Sequence, residues 1–184
     1  MSIFLVWQSY QLLSVIHTLE PSTWGMSIFI AWIANMFVTG IFAFSGFAFP
    51  TQKLLPPSYY QIHNPTSLKN IYKLLKVDVF RKMLLATFWK SKSQRKKHFD
   101  GKKSGIQNLE TQSMKSEFGH LIPFLILNFV SIYVIAVGSI RLGVLTLCLN
   151  LIGNLYPIIL QRHHRMRIEK IRKRRDAGSI SAKI

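Results

Sequence analysis

The chain has 184 residues, short for several domains, and its 49% apolar content comes in blocks, which excludes an ordinary soluble domain. A net charge of +17 leaves two partner classes, nucleic acid and an anionic membrane surface. Uncharged runs long enough to cross a bilayer select the membrane, so no nucleic-acid partner is expected. Residues 3 to 19 are apolar but interrupted by Gln8, Ser9, Gln11, Ser14 and His17. They suit a helix lying in the interface or a weak fourth span. The N-terminus lacks the basic region and small-residue cleavage site of a signal peptide, so it is expected to stay in the mature protein. Pro21-Ser22-Thr23 signals a helix start. Trp24 to Phe49 is the first strong span, aromatic at both ends and stopped by Pro50. Gly40 and Gly46 on it can allow close helix packing.

Residues 51–116 form a basic region expected at the cytoplasmic interface. Pro56-Pro57-Ser58-Tyr59-Tyr60 and Asn64-Pro65-Thr66-Ser67 are turn and cap signals. Leu68, Ile71, Tyr72, Leu75, Val79 and Met83 then fall near one helical face, with Lys69, Lys73, Lys76 and Lys82 elsewhere. This predicts one basic amphipathic helix over 68–90, lying on anionic lipid headgroups. Asp100-Gly101 signals a turn within the basic run that follows.

Residues 117–167 carry the most informative pattern. Leu121 to Val137 and Val144 to Leu160 are uncharged, and Gly138-Ser-Ile-Arg-Leu-Gly143 between them is a turn signal. Each run approaches the roughly 20 residues needed to cross a bilayer, and backbone in lipid must bond to itself, so both should be helices. Two spans joined by a short turn return to the face they left. Glu117 and His120 are therefore expected at the same membrane face as Gln161, Arg162, His163, His164 and Arg165. Residues 168–184 are a basic tail, expected to sit on lipid headgroups. The 1–50 segment completes an all-α integral membrane protein of three to four transmembrane helices. Cys148 lies in mid-span, where it is expected to pack and no disulfide partner exists.

Charge sets the orientation. Residues 51–119 hold fourteen Lys or Arg against four acids, and residues 161–184 hold nine against two. The positive-inside rule then places both segments, and with them the C-terminus, in the cytoplasm.

Acyl transfer to a hydroxyl needs a base for the hydroxyl proton and donors for the oxyanion. His120 has the intrinsic pKa of such a base. Glu117, three residues earlier, shares its helix face and can orient it. Gln161, Arg162 and Arg165 suit an anionic donor or the developing oxyanion. Asn154 lies about two turns from Gln161 on the same face. Pro157 between them should disturb the helix and free a carbonyl. Polar residues inside a span face protein rather than lipid, although asparagine can serve only as helix glue. Two rival readings stand beside this one. The chain can be a non-catalytic basic subunit docking a partner or anionic lipid. Alternatively, Glu117, His120, His163 and His164 can hold a metal for a lipid-modifying enzyme, although adjacent histidines point to different sides of a helix. The acyl-transfer reading needs neither metal nor cofactor. Nothing in the sequence gives an oligomeric state.

The pattern Ser116-Glu117-x-x-His120, two apolar stretches, then Asn154-Leu-Tyr-Pro157-Ile-Ile-Leu-Gln161-Arg162-x-x-Arg165-x-Arg167 resembles the glycosyl-4,4'-diaponeurosporenoate acyltransferase family. Trp89-Lys90 and Asp100-Gly101 are similar to further elements of that family. The resemblance covers roughly residues 70–170. It departs from the family at His164, where the family has Asn, and at Gln112-Ser113, where it has Glu-Thr. It implies a small protein of the bacterial cytoplasmic membrane that esterifies a glycosylated carotenoid, or another glycolipid, with a fatty acyl group. Its partners would be the acyl donor and the lipid acceptor. Trp89 and Lys90 join Asn154, Gln161, Arg162 and Arg165 in the substrate-binding set on the strength of this resemblance.

Overall fold

The computed structural model describes residues 1–16, 23–87 and 103–181. These residues are overwhelmingly helical, and none of them is in a strand. Helix α1 is Ser2–Val15 and α2 is Trp24–Ala48. A 3-10 turn, Thr51–Lys53, leads to α3, Pro57–Tyr60. Helices α4, Pro65–Leu74, and α5, Val77–Thr87, follow. Then come α6, Lys103–Ala136, and α7, Ile140–Asn150. A π-helical stretch, Leu151–Leu155, runs into α8, Tyr156–Ser181. Among the described residues three helices are long and apolar enough to cross a membrane: Trp24–Ala48, Gly105–Ala136 and Ile140–Lys173. Helix α1 has 14 residues. At about 1.5 Å per residue it reaches about 21 Å, short of a hydrocarbon core about 30 Å thick.

Contacts divide the chain into two compact units. The first comprises Met1–Leu54 and Lys115–Ile158. Its α2 starts where the sequence signals it, with the Thr23 hydroxyl accepting from the Met26 amide at 3.2 Å. A core of Ile16, Ala31, Val134 and Leu142 ties α2 to the hairpin of α6 and α7. Small residues set the approach of the helices. A Cβ on Gly40 would come within 2.8 Å of Leu5 Cδ1, and one on Gly119 would touch the Ala43 backbone at 3.8 Å. The Lys115 ammonium donates to the Gly46 carbonyl near the end of α2, at 3.2 Å, where the helix dipole favours a cation.

The hairpin differs from its sequence reading in one detail. Gly138 alone makes the turn, at φ +99°, a backbone that L side chains resist. Gly143 lies inside α7, where an added Cβ would stand 2.9 Å from the Ser131 carbonyl and collide with Ile135. It is a packing glycine, not a turn glycine. Cys148 also departs from expectation, since it is exposed on the outer face of α7 and not packed.

Beside that apolar core this unit buries polar side chains and exposes apolar ones. Ser27, Asn35, Glu117, Ser131, Thr146, Asn150 and Asn154 are buried, while Phe29, Trp32, Phe129, Ile132, Val144 and Ile152 are exposed. Lipid tails solvate apolar side chains as well as protein does, so membrane helices associate through polar bonds and small-residue contacts.

The second unit comprises Leu55–Met114 and Ile159–Ile184. Asn64 caps α4, its Oδ1 accepting from the Ser67 amide at 3.0 Å with Pro65 in the first turn. The single amphipathic helix expected over 68–90 is two helices. Lys76, at φ 49°, breaks the run. The reason is geometric. Tyr72 and Val77 are both buried, yet five residues along one straight helix would set them about 140° apart. The break re-aims α5 so that both reach the interior.

Candidate functional site

The side chains that sequence pattern singles out divide between the two units. In the first, the α6–α7 hairpin brings His120 onto Asn154. The His120 Nδ1 stands 3.0 Å from Asn154 Oδ1. Neither is an isolated contact. The Asn154 Nδ2 donates to Asn150 Oδ1 at 2.9 Å. The Thr39 hydroxyl on α2 donates to Asn154 Oδ1 at 3.1 Å. The Asn150 Nδ2 donates to the Phe124 carbonyl at 2.9 Å. Asn150 and Asn154 are both fully buried, and His120 is half-buried. A buried amide stays tolerable only while its donors and acceptors are matched.

Local sequence explains the placement. Asn150 and Asn154 are four residues apart and so line one face. Pro157 has no N–H to give the carbonyl four residues back, that of Gly153. The helix widens here into its π stretch, with the Tyr156 amide bonded to the Leu151 carbonyl. Single-turn π stretches of this kind are frequent at functional sites. The His120 ring lies within reach of the Gly153 carbonyl.

Glu117 is fully buried on α6, one turn before His120. The side chain that meets His120 Nδ1 is Asn154, an amide from the facing helix. Asn150 and Thr39 escaped the sequence reading. Asn150-x-x-x-Asn154 was the available signal, two amides at helical spacing in an otherwise apolar run. Thr39 had none.

The second unit holds the remaining candidates. The Arg162 guanidinium lies over the Tyr59 ring at 4.8 Å and donates to the Tyr59 carbonyl at 3.4 Å. Arg165 is buried, lies over Tyr60 at 5.4 Å and donates to the Ser113 hydroxyl at 3.4 Å. Ser113 in turn donates to the Gln161 carbonyl at 3.0 Å. His163 stacks on Tyr72 at 4.0 Å, with planes 17° apart. Burial pushes the Tyr72 phenol above its usual 10, so it stays neutral. The carboxyl of Asp78 sits below its usual range because Arg81 hydrogen-bonds it, with Lys82 adding to the effect. Trp89, Lys90, Asp100 and Gly101 lie outside the described residues. Among the described residues no group of three or more His, Cys, Asp or Glu is placed to hold a metal ion.

No curated protein and no solved structure matches the chain. The family model described as glycosyl-4,4'-diaponeurosporenoate acyltransferase matches residues 56–174, well over half of the sequence, and the chain belongs to that family.

Proposed function

We propose that this chain is a membrane acyltransferase that moves a fatty acyl group to a hydroxyl of a glycosylated carotenoid or related glycolipid, with His120 as its general base. The observation that carries the reading is the 3.0 Å contact between His120 Nδ1 and the buried, fixed amide of Asn154. An imidazole held through one ring nitrogen leaves the other to accept a proton. The same logic of base and orienting group recurs in acyl-transfer sites on unrelated folds.

The chemistry balances without a further reactant. The acceptor hydroxyl loses its proton to His120 Nε2 as its oxygen bonds to the carbonyl carbon of the donor. The carbonyl electrons move to oxygen, giving an oxyanion that needs donors. When the carbonyl re-forms, the donor's leaving group departs with the electron pair of the broken bond. It takes the proton from the imidazolium, and ester and free leaving group remain. Gln161, Arg162 and Arg165 are assigned to the donor on their charge and hydrogen-bonding capacity alone. Glu117 is assigned to support the protonated imidazole, and Trp89 and Lys90 to the substrate. The three span-length helices and the positive charge of residues 51–119 and 161–184 support a multi-pass protein of the cytoplasmic membrane with its C-terminus inside.

A deletion strain compared with its parent by mass spectrometry of extracted pigments and glycolipids tests the reading. The deletion should lose a fatty-acylated glycolipid and accumulate the same molecule lacking the acyl chain. Identical lipid and pigment profiles would remove the proposed activity.

A further inference from the structure

The hydrogen bonds behind His120 run in one direction, and that direction has a consequence for the ring. A backbone carbonyl can only accept, so the Phe124 carbonyl obliges Asn150 to present Nδ2 to it. Asn150 Oδ1 therefore faces Asn154, and Asn154 must answer with Nδ2. Asn154 Oδ1 is then turned to Thr39 and His120 and can only accept from both. Asn154 Oδ1 therefore draws the proton of a neutral His120 to Nδ1, while the Gly153 carbonyl, also within reach of the ring, is a second group that can only accept.

We infer that Asn150 and Thr39 are positioning residues, acting through Asn154 to hold His120 in the Nδ1–H tautomer and leave the Nε2 lone pair as the base. A free imidazole side chain prefers its proton on Nε2, so this tautomer needs holding. Thr39 adds a second donor on Asn154 Oδ1, which opposes rotation of the amide. Polar residues that merely glue helices together need their bonds made but need no common sense of donation. Here a backbone-anchored amide, a second amide bonded to it and a hydroxyl all agree. The use of the relay rests on the acyl-transfer reading; its geometry does not.

The test is nitrogen NMR of the full chain in lipid bilayers, with histidine labelled by ¹⁵N and the His120 signals found by difference from His120→Gln. Wild-type His120 should show a protonated Nδ1 and an unprotonated Nε2. In Asn150→Leu and in Thr39→Val the proton should move wholly or partly to Nε2, and Thr39→Ser should restore it. Acyl transfer should fall in parallel by about tenfold or more, as kcat and not KM, since a wrong tautomer disables a base without touching substrate. A wild-type ring protonated on Nε2, or a tautomer indifferent to Asn150 and Thr39, overturns the proposal. The wild-type spectrum decides the first point even where a variant fails to insert. If the tautomers behave as stated but wild type transfers no acyl group, the relay stands and the assigned activity falls.

Discussion

His120 Nδ1 and Asn154 Oδ1, thirty-four positions apart in the chain, meet at 3.0 Å across a helical hairpin. If that contact serves catalysis, Asn154→Leu should lose transfer by about 10²-fold or more, the range of a misdirected general base. Asn154→Asp keeps an acceptor for His120 and should retain more activity than Asn154→Leu. Initial rates in membranes containing equal amounts of each variant measure this. Equal activity in all three would separate Asn154 from the chemistry.

Gly143 predicts a packing defect. Gly143→Ala drives a methyl into the Ser131 carbonyl and Ile135, and overpacking of this kind costs about 1–3 kcal/mol. Gly25→Ala is the control, because a Cβ there meets nothing within 4 Å. Thermal unfolding in detergent should show a clear loss for the first and little change for the second.

Asp78 predicts a pH dependence. Arg81 and Lys82 hold its folded pKa below the unfolded value. Its contribution is therefore complete above the ordinary carboxylate range and is lost as pH falls through the depressed value. Asp78→Asn should speed amide exchange in α5 at pH 7 relative to wild type. The difference should close in strong acid, where Asp78 is also neutral. A gap that persisted there would mean that charge is not the cause.

Orientation can be read by fusion reporters. With the basic segments inside, alkaline phosphatase fused after Gly138 should be active, because the hairpin turn faces out. The same enzyme fused after Arg175 should be inactive. The reverse pattern would invert the assignment.

The hairpin was legible because two uncharged runs flank a glycine turn, and lipid leaves such runs few alternatives to helix. Thr23 and Asn64 were legible as caps because capping is local chemistry. The break at Lys76 was not, since amphipathic periodicity continues through it and only the joint burial of Tyr72 and Val77 requires it. Gly143 read as a turn because sequence cannot tell a glycine that bends backbone from one that admits a neighbour. At the site, His120 and Asn154 stood out as polar residues in or beside apolar runs. Thr39 did not, because its role depends on a partner 115 positions away.

The most direct test of the account is the rate of acyl ester formation by His120→Ala in membranes supplied with a glycosylated acceptor and an acyl donor. The account predicts product at background while the variant inserts and unfolds like wild type. Turnover at the wild-type rate would contradict it.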